Sequence, residues 1–249
     1  MIKGTPFDAP LYEIDEERGV EARNAKAVAV LFTLKRDLSE LIPEGLKSLG
    51  VGAVWIAQYD ISTIGAFKEF VSLIQVEDEV GDRGFYMPYG YVNTDAALAA
   101  SREIIGAPKK LAKIELTQEL DLMLGILERP VGKRLVTVII KPTTRVTEKE
   151  ILESFLTRPT YMYSLRYTPP SRRGEKGTAH LIKWYITVDI HRDAAGDMVA
   201  FMGPASVIYD SPSVHDPVHK LEVDAIITAA YIEFDLKINA IGALREFKI

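Results

Sequence analysis

Most of the chain carries apolar residues at strand spacing, and helical patterning is confined to three short stretches. Strands rich in Val, Ile, Tyr and Phe are predicted over residues 27–34, 51–59, 67–76, 134–141, 161–168, 181–190 and 223–238. In the sixth of these, Ile182, Trp184 and Ile186 alternate with Leu181, Lys183 and Tyr185, setting an apolar face against a mixed one. Many strands parted by turns, without a strand–helix rhythm, predict an α+β, β-rich fold. The expected architecture is an antiparallel β-barrel or sandwich with a few short helices, not a doubly wound sheet. Gly and Pro breaks are short and evenly scattered, with no repeat or linker, so residues 1–249 are expected to form a single domain.

The helical stretches have recognisable ends. Asp37 with Glu40 forms a capping box, and Pro43 limits the length of that helix. Thr147 with Glu150 repeats the signature ahead of Ile151, Leu152 and Phe155. The third helix runs from Thr94 or Asp95 to Ile105, where Gly106 is the expected cap and Pro108 prevents continuation. Lys109 and Lys110 come directly after it.

Composition narrows the field by exclusion. Hydrophobic residues make up 47% and charged residues 26%, as in ordinary globular proteins. The formal charge of −5 supplies no global attraction to nucleic acid or an anionic membrane, so an anionic substrate needs a local patch. With no cysteine there is no disulfide, thiolate nucleophile or cysteine-ligated zinc. The first residues lack the apolar core of a signal peptide, and no run is long enough to cross a bilayer. A soluble, cytoplasmic protein is expected.

The Lys109-Lys110 pair has two readings. Adjacent lysines in a loop are usually solvated. Here, however, Gly106-Ala107-Pro108 constrains the backbone where the side chains emerge, and Leu111, Ala112 and Ile114 open another apolar segment. Such a position can direct an amine into a pocket. A lysine that attacks a ketone must be unprotonated, and burial or a neighbouring cation each favours the neutral amine. The preceding helix C-terminus opposes this by only about 0.3–1 kcal/mol, fading beyond the last turn.

The stretch YMPYGYVNTDAALAASREIIGAPKKL, residues 86–111, resembles the central motif of the acetoacetate decarboxylase family. There an Arg-Glu pair precedes a Gly/Ala–aromatic–Pro–Lys–Lys turn. Further likeness lies in Ile42-Pro43-Glu44-Gly45-Leu46, in Arg158-Pro159-Thr160-Tyr161-Met162 and in Phe201-Met202-Gly203-Pro204. The resemblance spans roughly residues 20–247. It implies Lys109 as the Schiff-base amine, Lys110 as its cationic neighbour and Arg102-Glu103 as the upstream pair. Acetoacetate decarboxylase is itself the standard example of a lysine activated by desolvation or a cationic neighbour.

A family carboxylate beside the lysine aligns with Glu69, which shares a strand face with Phe67, Val71 and Leu73. From the residues alone, that carboxylate is either paired inside or exposed at an edge. The family's pocket arginine aligns with Asn24; Arg23 replaces it only if the strand register slips, and Lys26 on Asn24's face is a second candidate. Ala107 stands where the family has an aromatic ring, which implies a roomier pocket and tolerance of longer substrates. Tyr91 is the tyrosine expected in the pocket, whereas Tyr86 and Tyr89 are read as core.

The resemblance implies decarboxylation of acetoacetate or a related β-keto acid, without metal or organic cofactor, in a homo-oligomer. An aldolase or dehydratase using the same imine is the alternative, and a non-catalytic small-ligand-binding barrel is the third reading. Elsewhere, His215 and His219 are interrupted by Pro217 and read as loop histidines. Residues 171–177 read as a solvated hairpin loop and not a phosphate site.

Overall fold

The structure, a computed structural model, describes residues 4, 10–12, 19–147 and 160–249, with the backbone alone at 240 and 241. Strands β1 (Val20–Leu34), β2 (Leu46–Ser62), β3 (Phe67–Asp78) and β4 (Arg83–Val92) pair antiparallel in sequence order. Helix α1 (Asp95–Ala100) and the wider turn Ser101–Ile105 lead to β5 (Lys109–Leu111), which lies parallel to β4. Strands β6 (Lys113–Glu119), β7 (Leu122–Glu128) and β8 (Arg134–Ile140) begin a second sheet. The remaining strands are β9 (Thr144–Arg145), β10 (Thr160–Thr168), β11 (Thr178–Ile190), β12 (Ala200–Met202), β13 (Ala205–Tyr209) and β14 (Val223–Lys248).

The long β14 pairs with both β11 and β1, so the order β1-β2-β3-β4-β10-β11-β14 closes into a ring. One joint corrects the antiparallel expectation: β4 and β10 are parallel, with Gly84, Phe85 and Tyr86 opposite Tyr161, Met162 and Tyr163. Parallel pairing needs a long crossover, and the chain between β4 and β10 supplies it. Gly84 permits the joint, since a Cβ there would lie 2.2 Å from the Tyr161 carbonyl oxygen.

Strand alternation splits the apolar residues into two cores. Ala25, Ala27 and Ala29 of β1 join Trp55, Val71, Met162 and Trp184 inside the ring. Val28, Val30 and Phe32 face outward with Ile56, Phe70 and Ile74, against Ile114, Leu127 and Val138 of the second sheet. β13 completes that sheet beside β8.

The helices are shorter than the pattern predicts. The Ser39 N–H donates to Asp37 Oδ1 at 3.0 Å, but the N-cap position falls on Leu38, without a side-chain cap, and only the single turn Ser39–Leu41 forms before Pro43. The Thr94 hydroxyl caps α1 at the Ala97 N–H, and Gly106 ends the segment with φ 70°. The helix expected after Thr147 lies outside the described residues. Residues 171–177 lie in the connection between antiparallel β10 and β11, exposed except for the buried Gly177. Among the described residues no helix is long and apolar enough to cross a membrane.

Candidate active site

The site is assembled by the docking of β5 on β4. At Gly106 a Cβ would meet the Arg166 backbone at 2.6 Å, so the glycine lets this turn press against β10. The register then sets Gly90 beside Lys109 and Tyr91 beside Lys110. Lys109 points into the ring and is 3% exposed. Its aliphatic stem runs over Gly90, where a Cβ would approach its Cδ to 2.8 Å. The Arg102 guanidinium donates to the Lys109 carbonyl oxygen at 3.3 Å and holds the strand from behind.

Glu69 of β3, the strand on the other side of β4, projects into the same interior. Lys109 Nζ donates to Glu69 Oε2 at 2.6 Å, its only hydrogen-bond partner among the described residues. The Tyr59 hydroxyl donates to the other oxygen, Oε1, at 2.5 Å. Trp55 Nε1–H in turn donates to the Tyr59 oxygen at 3.2 Å, and the Tyr59 ring stacks on Phe67 at 4.5 Å. Burial, together with the Glu69 charge and hydrogen bond, pushes the Tyr59 hydroxyl well above its ordinary value. Tyr59 therefore stays a donor and fixes the carboxylate against the amine.

Lys109 and Glu69 open on a cavity of about 560 Å³ whose wall is mostly apolar. They are the only charged side chains among its described lining residues. Phe67, Val71 and Leu73 line it along with Glu69, so the alternation read from the sequence is the cavity face of β3.

Other expected site residues lie elsewhere. Adjacent strand residues face opposite ways, so Lys110 leaves the ring; its Nζ donates to Asp216 Oδ1 at 3.0 Å and to the His215 carbonyl. Asp216, 4% exposed, also accepts from the Tyr91 hydroxyl at 3.2 Å and from Arg129 Nε at 3.1 Å. The Lys110 charge is thus engaged on the outer face instead of standing beside Lys109. Tyr91 shares that outer face and packs between the sheets, not in the cavity. Burial and the Asp216 charge push its hydroxyl far above the ordinary range.

The β1 register does slip, at a bulge between Ala22 and Ala25 where Asn24 takes φ 56°. The bulge leaves both Arg23 and the aligned position Asn24 exposed. Arg23 has a 71% exposed side chain 4.0 Å from Glu21, and the Asn24 N–H donates to Asp235 Oδ1. Neither these nor Lys26 lines the cavity. Arg102 and Glu103 are exposed; Glu103 accepts from the Tyr12 hydroxyl at 2.6 Å, while Ser101 and Ile104 of the same turn reach the wall. Ala107 is fully buried in the inner core but is not a lining residue. His219 sits in the single turn Val218–Lys220.

Tyr59 and Trp55 are absent from the sequence-based site, although Ala53, Trp55, Ala57 and Tyr59 alternate on β2 as the Glu69 face does on β3. Asp216 carries no local signal, because its partners come from distant strands.

A family model described as acetoacetate decarboxylase matches residues 6–246. A relative named acetoacetate decarboxylase 2, from Mesorhizobium japonicum, is 27% identical over 235 residues, covering 93% of this chain and 84% of its own. The crystal structure of acetoacetate decarboxylase from Legionella pneumophila superposes with a TM-score of 0.82 at 21% identity, covering 95% of this chain and 90% of that one. The enduracididine biosynthesis enzyme MppR, complexed with the condensation product of pyruvate and imidazole 4-carboxaldehyde, superposes at 0.74 with 13% identity, covering 97% and 92%.

Proposed function

This chain belongs to the acetoacetate decarboxylase family, and we propose that it decarboxylates a β-keto acid through a Schiff base on Lys109. The observation that carries this reading is a single amine, 3% exposed, facing a mostly apolar cavity with a carboxylate 2.6 Å away. Attack on the ketone requires the unprotonated amine, and Glu69 is within reach to take the proton. The resulting carbinolamine loses water, with Glu69 returning the proton to the leaving hydroxyl. The iminium so formed draws in the electrons of the bond to the carboxylate, carbon dioxide departs and an enamine remains. Protonation at carbon, then hydrolysis, releases the ketone and restores Lys109. Tyr59 keeps Glu69 oriented through both proton transfers.

A second reading uses the same imine for condensation with an aldehyde, without loss of carbon dioxide. It is favoured by the lack of an arginine among the described cavity residues and by the condensation product held in MppR. Assembly into a homo-oligomer belongs to the same proposal and is read by light scattering. The reaction is tested by borohydride reduction with a panel of β-keto acids and ketones, peptide mapping and measurement of carbon dioxide. The expected result is one adduct on Lys109, absent from Lys109→Ala, with carbon dioxide released. Adduct without carbon dioxide selects condensation; no adduct from any carbonyl compound leaves a binding barrel.

A further inference from the structure

The cavity is uneven along its length. Near Lys109 and Glu69 stand Tyr59 and Ser101, with partly buried Val20, Phe67 and Ile104 grouped at one end. Moving the other way along β3, Leu73 lies four residues beyond Glu69, about 13 Å at roughly 3.3 Å per residue. The lining residues that the strand register groups around Leu73 are apolar: Ala53 lies opposite it, Ala29 opposite Trp55 on the neighbouring pair, and Phe85 opposite Gln75, two residues further on. Ala29 and Ala53 leave the room, since larger side chains on those inward positions of β1 and β2 would project into it. A two-carbon difference in substrate length therefore has a place to go.

Charge points the same way. A carboxylate needs a cation or strong donors when it leaves water. The one cation among the described lining residues is Lys109, which is already paired with Glu69 and must give up its proton before it can attack the ketone. A small keto acid would then enter with its charge unmatched and little surface to bury. We infer that, if the Lys109 reaction holds, the substrate is a β-keto acid with a long or bulky apolar group on the ketone carbon. That group occupies the far end lined by Ala53, Leu73 and Phe85, and the carboxylate faces the end beside Val20, where the neutral polar residues Ser101 and Asn239 line the cavity. Recognition is by the tail, and carbon dioxide leaves from the wetter side.

Straight-chain β-keto acids from acetoacetate to the ten-carbon acid test this with the unmodified protein. Carbon dioxide release is measured, and the matching methyl ketones are trapped with borohydride in parallel. On this inference kcat/KM rises roughly fourfold for each added methylene until the far end is filled. Ala53→Leu should lower the value for the ten-carbon acid at least tenfold more than for acetoacetate, and Leu73→Phe gives the same contrast if that variant folds poorly. Flat or falling kcat/KM, with Lys109 adducts forming from all the ketones, overturns tail recognition and leaves the Schiff-base reading intact. Absence of any adduct overturns both.

Discussion

Lys109 and Lys183 are both buried amines on the same closed sheet, and each is paired with acid. Their surroundings differ in what is left over. Lys183 donates to Asp78 at 2.9 Å and to Asp82 at 2.5 Å, and it lies 4.2 Å from the centre of the Tyr161 ring. Asp78 is saturated in turn by the Tyr163 hydroxyl and the Val80 and Asp82 N–H groups. Lys109 has one described partner and borders open volume. Burial and an ion pair do not by themselves make a nucleophile. Unspent donor positions and space for a second molecule do, and only one of the two lysines has them.

Exchanging each lysine separates these roles most sharply. Lys109→Ala should lower turnover by about 10⁴-fold or more, as expected for loss of a covalent nucleophile, with little loss of fold. Lys183→Met should do the reverse. It strands the buried Asp78 carboxylate and should cost about 3–5 kcal/mol in stability, while the molecules that remain folded still form the Lys109 adduct. Urea denaturation and borohydride trapping on both variants give the two readouts. If Lys183→Met loses the adduct while folded, the division of labour is wrong.

A smaller change tests how the reactive amine is aimed. Gly90→Ala places a methyl within 2.8 Å of Lys109 Cδ, 3.2 Å of Met87 Sδ and 3.3 Å of Lys109 Cε. The stem must shift, and misaiming of this size should cost roughly tenfold in trapping rate. Unaltered trapping at unaltered stability would show that the flexible stem absorbs the methyl.

The contrast also explains what is legible in the sequence. Strand content, the capped helix ahead of the lysines and the cavity face of Phe67, Glu69, Val71 and Leu73 all come from local spacing. The motif alone assigns Lys110 and Tyr91 to the pocket, although the two-residue period of a strand sends each to the face opposite Lys109. That reversal is readable only once β5 is known to be a strand, and Ala107-Pro108-Lys109-Lys110 reads as a loop. The bulge at Asn24 has only weak local signal, since asparagine merely tolerates positive φ. The parallel β4–β10 joint and the Asp216 cluster depend on segments far apart in sequence, which periodicity cannot pair. Lys183 reads as one member of a mixed face, and its two acids lie about a hundred positions away.

The smallest effect is the pH dependence of the Lys183 cluster. Burial tends to raise the Asp78 carboxyl, but hydrogen bonds from Lys183, the Asp82 N–H and Tyr163, with the Lys183 charge, hold it below its ordinary value of 3.8. A carboxyl depressed on folding adds stability that is complete above the unfolded value and lost as pH falls through the folded one. For Lys183, burial pulls down, yet Asp82 and Asp78 hold the ammonium above its ordinary 10.5. Its contribution is complete below that value and lost only as pH rises past the folded one. The stability gap between the wild type and Lys183→Met should therefore stay level from about pH 6 to 9 and narrow below about pH 4. Denaturation midpoints across that range measure it. A gap unchanged in acid would mean that packing around the Lys183 stem, and not its charge, is what Asp78 and the two tyrosines secure.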